Sequence, residues 1–289
     1  MTGKPALPQA GCMAVEETKS VRPISVMSYN IAHGCGMDGK VDLGRIAGVI
    51  RSSGADIVAL QEVDSHYSGR SGFEDQAKVL AGMLGMSYSY GPNLIEPPLF
   101  PGQPARKYGN AVLSRFPIKY AVNHAYREVE KPPEDAEPRG VLETIIDLGG
   151  MYLSLFNTHL SLHEDGLRSN ISELVELAGN SMFPAVITGD FNAVPEHPEI
   201  QQIRSLFRDS FDGIEPEDSL TFPSRYTDPS GAGMSEPAAR IDYIFSRGIE
   251  DIGEVRVISA DASDHMPIIA KLLFPVAAAD KRQPELASN

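Results

Sequence analysis

A chain of 289 residues with 42% hydrophobic and 22% charged residues has globular composition and length for one large domain, which excludes disorder as its dominant state. Lys and Arg number 25 against 39 Asp and Glu, a formal net charge of −14. That balance disfavours attachment to nucleic acid through a broad basic surface, because such binding rests on many cations facing phosphates. It leaves open nucleic acid at a local metal site, where the cation supplies the positive charge.

Residues 1–22 mix Pro, Gly, Glu and Lys without periodicity and are expected to form a flexible tail, as are residues 276–289; a single catalytic domain is expected over 23–275. The N-terminal residues lack the basic start and apolar run of a secretory leader, and no segment approaches the roughly 18 apolar residues of a membrane span. The expected location is the cytoplasm, or outside the cell if a leader has been removed, and no stable membrane insertion is expected. The two cysteines, Cys12 in the tail and Cys35 in a Gly-flanked loop, give no disulfide framework, and Cys35 reads as a small thiol in a turn.

Ile24 to Asn30 is a short β-rich run, followed by a Gly-rich loop and a helical pattern in which Leu43, Ile46, Val49 and Ile50 recur before Gly54. ADIVALQE reads as a buried strand ending in the acid Glu62, and FEDQAKVLAGMLG as a second amphipathic helix. AVLS, IKYAVNHAY, VLETIIDL and MYLSLFNTH are successive β-type runs with too little between most of them for helices, so antiparallel pairing is expected. A third helix from about Glu164 to Ala178 leads to AVITGD, and IDYIFS, VRVIS and IIAKLLF supply further strands. This order favours two packed sheets with helices outside over a doubly wound parallel sheet. The stretch from about Asp212 to Arg240, rich in Pro, Ser, Gly and Asp, reads as a functional loop.

Polar residues fall at or just beyond the ends of apolar runs: Asn30, Glu62, His159, Asp190 with Asn192, Asp242, and Asp264 with His265. Singly, each has an ordinary explanation. Asn30 suits a turn, Glu62 an ion pair, His159 a satisfied core histidine, GDFNA an Asx turn, and Asp264–His265 a surface pair. Together they form a chemical set. Oxygen ligands from Glu62, Asn30 and Asp264 suit a hard cation such as Mg²⁺, and no Cys or multi-His cluster favours a closed zinc site. A histidine paired with a carboxylate can serve as a general base, and Asn192 and His159 can face phosphoryl oxygens.

The ordered motifs SYNIAHG, LQEVD, GNAVLSR, NTHLS, GDFNA, RIDYIF and SDHMPI resemble the endonuclease/exonuclease/phosphatase superfamily, with its DNase I-like fold, over about Ser25 to Phe274. The resemblance implies a four-layer α/β sandwich, two packed mixed β-sheets flanked by helices. It implies that Glu62 is the principal Mg²⁺ ligand, with Asn30 and Asp264 at the metal or its water shell and Mn²⁺ as the alternative cation. It further implies that His265 is the catalytic histidine, that Asp242 orients it, and that Asp190 positions or deprotonates the attacking water; whether Asp190 or His265 is the formal base stays open. Asn192 and His159 match phosphate contacts. Arg139 is similar to a phosphate contact in parts of the family, against its reading as a surface partner of Glu137, and Tyr108 and Asn110 fall in the rim motif, on the substrate side or behind it.

The implied reaction is Mg²⁺-assisted hydrolysis of a phosphoester by in-line water. The absence of Trp, of any aromatic residue between Phe245 and His265, and of net positive charge lowers the expectation of a duplex DNA enzyme. The long loop and EPRGVLE look more like the broad bacterial branch of metal-dependent hydrolases, so a phosphodiesterase or phosphatase acting on a small or lipid-derived phosphoester is expected. A DNA or RNA nuclease is the alternative enzyme, and a non-catalytic metal-binding scaffold the alternative of another class. The oligomeric state is left open.

Overall fold

Strand β1 (Val21–Asn30) sends Met27 and Tyr29 to one buried face and Ile24 and Val26 to the other, as the period of two dictates. The computed structural model describes residues 21–127, 136–228, 230 and 233–275. Helix α1 (Leu43–Ser53) is capped by Asp42, whose carboxylate accepts from the amides of Gly44 and Arg45, and is ended by Gly54 at φ 74°, where a side chain is disfavoured. Leu43, Ile46, Ala47 and Ile50 bury its inner face. Strand β2 (Ile57–Ser65), helix α2 (Gln76–Leu84) and strands β3 (Ser87–Glu96) and β4 (Arg106–Ser114) complete the first half.

The second half runs β5 (Ile118–Ala125), β6 (Gly140–Asp147), β7 (Tyr152–His159), α3 (Glu164–Gly179), β8 (Ala185–Asp190), α4 (Pro198–Arg204) and β9 (Arg208–Asp209). Among its described residues the long loop contributes the two-residue strands β10 (Tyr226–Thr227) and β11 (Met234–Ser235) and a short 3-10 turn, Pro216–Asp218. Strands β12 (Asp242–Arg247), β13 (Asp251–Val257) and β14 (Ile268–Pro275) follow.

Two six-stranded sheets result, in the orders β13-β14-β1-β2-β4-β3 and β5-β6-β7-β8-β12-β9. Both are mixed, because β1 pairs parallel with β2 and β7 with β8 while their other neighbours are antiparallel. Three apolar clusters fill the gaps between four layers: one under α1 and α2, one between the sheets, and one under α3 and α4. The expected four-layer sandwich is the observed fold.

The expected tail through residue 22 ends earlier, because β1 begins at Val21, which pairs with Pro275, and Arg22 pairs with Phe274. The rest of both expected tails lies outside the described residues. The second helix begins at Gln76 and not Phe73, since Asp75 caps it by accepting from Lys78 N and Phe73 has left-handed backbone. Strand β3, which alternates serines and tyrosines around Gly91–Pro92, carries no apolar run and is an edge strand, where Pro is tolerated.

Candidate active site

Side-chain parity explains why the polar residues meet. On β1, Ile24 and Val26 face the inter-sheet core, so Ser28 and Asn30 continue that face. On β8, Val186 faces it, so Thr188 and Asp190 follow; on β7, Leu153 and Leu155 lead to Asn157 and His159; on β12, Ile244 shares its side with Asp242. Gly140, His159, Asp190 and Asp242 are register partners across β6, β7, β8 and β12. The result is a polar row at one end of the seam between the sheets. Gly189 keeps β7 and β8 this close, as a Cβ there would stand 2.1 Å from the Thr158 carbonyl oxygen.

Glu62 arrives differently from the expected strand end. Leu60 pairs with Ala111 and Val63 with Gly109, so β2 carries an extra residue against β4. Leu60 and Val63 both pack on the helix side, and the bulge, with Glu62 at φ 57°, turns its carboxylate into the cleft. Beneath it, Asn157 Nδ2 donates to the carbonyls of Leu60 and Ala111, and Gln61 Nε2 donates to Asn157 Oδ1 at 2.6 Å. This buried bracket ties the bulge to the second sheet. Its letters lie inside the quoted motifs, but sequence reasoning assigned Gln61 and Asn157 no role.

Asp190 is the hub. Its Oδ2 accepts from Asn30 Nδ2 at 3.0 Å and lies 3.4 Å from His159 Nε2 and 3.5 Å from His265 Nε2, while its Oδ1 accepts from Asn192 N at 3.0 Å. His265 Nδ1 lies 2.9 Å from Asp242 Oδ2. Asn192, with left-handed backbone, donates its Nδ2 to Leu160 O and holds it 3.1 Å from His159 Nε2. Burial raises Asp190 to about 6, with Asp242 adding to the rise and His265 opposing it. Burial works against a charged His265, but Asp242, Asp190 and Asp264 outweigh it and push that imidazole up to about 10. Burial, then Arg139 and His265, hold His159 well below the ordinary histidine value, so it is neutral.

Asn30 stands between two carboxylates of the cleft. Its Oδ1 accepts from Ala32 N at 3.0 Å, and its Nδ2 donates to both Glu62 Oε1 and Asp190 Oδ2. It therefore bridges two carboxylates. Glu62 and Asp264 line the cleft, and burial followed by the Asp264 charge raises the Glu62 pKa while the Asn30 hydrogen bond opposes the rise. Two hard oxygen donors in one cleft, with the Asp264 charge disfavouring ionisation of Glu62, fit a divalent cation. Asp190, Asp242 and His265 also bring ligand atoms within 4.8 Å of one another, but the Asp242–His265 contact already occupies Nδ1.

Arg139 Nη1 lies 3.2 Å from Glu137 Oε2, its expected surface partner, and the side chain, 7% exposed, lines the cleft. Tyr108 also lines it, with its hydroxyl pKa raised by burial. Asn110 stands behind the cleft lining, one of the two places expected for it. Lying on the inter-sheet side of β4, it donates to the carbonyls of Gly140 and Asn157 and joins the sheets. Cys35 forms an isolated bridge with Val41 in the loop before α1.

Several cleft residues were missed, among them His33, Arg70 and Phe222. Arg70 is gripped by the buried Asp64, Nε to Oδ2 at 2.9 Å and Nη2 to Oδ1 at 2.7 Å, and sits over the rings of Tyr67 and Tyr108. Phe222, from the long loop, packs its ring 4.7 Å from that of His265. The aromatic residue that the segment between Phe245 and His265 lacks is thus supplied from elsewhere. The same loop holds the last motif, with Ser224 N donating to Asp264 O and Met266 N to Thr221 O.

The cleft, about 380 Å³, gathers carboxylates, imidazoles and guanidiniums at the strand ends of a layered α/β sandwich, the arrangement of a hydrolytic site. The family model described as the Endonuclease/Exonuclease/phosphatase family matches residues 27–265, and the chain belongs to that family, whose members are hydrolases and generally depend on a divalent metal. The YbhP protein of Escherichia coli is 25% identical over 264 residues, covering 86% of this chain and 95% of its own. An endonuclease/exonuclease/phosphatase structure from Beutenbergia cavernae matches with a TM-score of 0.71 at 25% identity, covering 88% of this chain and 72% of its own. A mannosyl-6-phosphatase of Bacteroides thetaiotaomicron shares the fold, with a TM-score of 0.64 at 22% identity, 87% of this chain and 100% of its own being covered.

Proposed function

We propose that the protein hydrolyses a small or lipid-derived phosphoester by in-line attack of water, with Mg²⁺ at Glu62 and Asp264. The observation that carries this reading is the placement of Asp190, with its carboxylate between two imidazoles and beside the Glu62 carboxylate that Asn30 links to it. Mg²⁺, or Mn²⁺ in its place, would supply Lewis-acid polarisation of a phosphoryl oxygen.

Asp190 accepts the proton of the attacking water as the oxygen–phosphorus bond forms and the bond to the leaving oxygen breaks, and the departing alkoxide takes a proton from solvent. His265, oriented by Asp242, presents Nε2 to the developing charge. Asn192 and the neutral His159 position the phosphoryl group, and Arg139 and Tyr108 line its approach. Asn30 acts by holding Glu62 and Asp190 at a fixed spacing. The negative net charge and the small cleft favour a small phosphoester or lipid headgroup over duplex nucleic acid. Among the described residues no helix is long and apolar enough to cross a membrane.

The test is a panel with Mg²⁺ or EDTA: a chromogenic phosphodiester, a chromogenic monoester, a glycerophosphodiester and supercoiled plasmid. Metal-dependent release from small esters with the plasmid left intact is expected. Metal-dependent nicking without small-ester turnover would replace this substrate class with nucleic acid, and inertness toward all four would remove the hydrolase reading.

A further inference from the structure

A second cavity, of about 320 Å³, is left unused by this reaction. His66 and Phe73 line it from the loop between β2 and α2, Leu99 and Phe100 from the connection between β3 and β4, and Arg106 from the start of β4. Phe73, Leu99 and Phe100 are 42%, 52% and 64% exposed. Large apolar side chains left open around a concavity mark a place where something apolar binds.

Two features join this cavity to the catalytic cleft. Arg106 and Tyr108 are alternate residues of β4, so they share a face about 7 Å apart; the first lines the cavity and the second the cleft. The loop repeats the relationship. Arg70 lines the cleft with its guanidinium 5.4 Å from the Tyr108 ring, and Phe73 three residues later lines the cavity. The Arg70–Tyr108 pair, anchored by buried Asp64, thus lines the cleft one strand step from Arg106 and three residues from Phe73 of the cavity.

The backbone is also held in disfavoured geometry here. Among the described residues the non-glycine positions at positive φ are Ala32, His33, Glu62, His66, Phe73 and Asn192. His33, Glu62 and Asn192 line the cleft, and His66 and Phe73 line the cavity. Phe73 N donates to Ser68 O, His66 N donates to Glu74 O, and His66 Nδ1 lies 2.9 Å from Phe73 O, which fixes the pair. Strain maintained by such bonds concentrates where a surface is built for a ligand.

We propose that this cavity is a subsite for the apolar chain of an amphipathic phosphoester whose phosphate lies in the catalytic cleft, an inference that rests on the phosphoesterase reading. Its volume falls at the low end of small-ligand pockets, about 300–1,000 Å³. The net charge of −14 disfavours docking on an anionic bilayer, so a single amphiphile is the occupant.

The test is calorimetric titration with alkylphosphonates from butyl to decyl, kept below micellar concentration in Mg²⁺, against the wild type, Leu99→Ser/Phe100→Ser and Phe73→Ser. The two exposed hairpin positions keep the experiment informative if Phe73→Ser fails to fold. Affinity should rise at least about tenfold from butyl to decyl in the wild type, given about fourfold per fully buried methylene. The hairpin variant should bind butylphosphonate as the wild type does and lose most of that rise. Affinity independent of chain length, or an undiminished rise in the hairpin variant, overturns the proposal, as does binding confined to phosphatidylcholine vesicles, which would make the patch a membrane contact. Hydrolysis of a short-chain diester is measured in parallel. Inertness toward the whole substrate panel alongside variant-sensitive chain-length binding would defeat the phosphoesterase reading and leave the apolar subsite standing.

Discussion

Asp190 and Asp242 stand directly opposite each other on β8 and β12, and His265 spans them, with Nδ1 2.9 Å from Asp242 and Nε2 3.5 Å from Asp190. Two buried carboxylates in register would repel each other in an ordinary sheet. The imidazole between them turns that liability into a fixed proton-handling unit. Asp190→Asn should therefore lower kcat by about 10²–10⁴-fold with KM little changed. Steady-state kinetics on a small chromogenic ester, with circular dichroism to verify the fold, checks this.

The charge of His265 gives the metal-free protein a pH signature. Its pKa, near 6.5 in an unfolded chain, is pushed up to about 10 in the fold. The raised value means that its contribution to stability is fully present below about 6.5 and is lost as pH rises toward about 10. His265→Asn should flatten this alkaline decline. Urea midpoints of the EDTA-treated proteins across that window measure it, and parallel curves would show that His265 is not charged in the fold.

Burial and the Asp264 charge raise the cost of ionising Glu62 in the absence of a cation. Mg²⁺ should raise the wild-type melting temperature, through preferential binding to the folded state. Glu62→Gln should melt at least as high without metal, gain little from Mg²⁺, and require more of it for turnover. Thermal melts against Mg²⁺ concentration check both halves.

Asp64 is wholly buried and accepts from Arg70 and Ser71. Removing its cationic partner leaves a buried charge underpaired, so Arg70→Met should destabilise by about 2 kcal/mol, less than a fully buried pair would because Arg70 is part exposed. Asp64→Asn in the same chain should recover part of the loss. Denaturant unfolding of the two singles and the double checks the coupling.

Most of the fold was legible because its core strands and helices keep their periods. The alternation of Ile24, Val26, Ser28 and Asn30, and of Val186, Thr188 and Asp190, already puts the polar residues on a common side. What was not legible depends on departures from period or on distant chain. A one-residue bulge leaves ADIVALQE unchanged as a pattern, so Glu62 read as a strand end when β2 continues to Ser65. Asn30 and Asn110 matched motif positions, but the direction of an amide is fixed by neighbours: Ala32 N for one, carbonyls of the opposite sheet for the other. Arg70 and Phe222 lie in loops without periodicity, and only tertiary contacts bring them to the cleft.

The most direct test of the central claim is the rate of 4-nitrophenol release from bis(4-nitrophenyl) phosphate by wild type and Asp190→Asn, each with Mg²⁺ and with EDTA. Turnover by the wild type with Mg²⁺, none in EDTA, and a rate in folded Asp190→Asn lower by about 10²-fold or more are expected. Equal rates in the variant, or rates indifferent to EDTA, would contradict the claim.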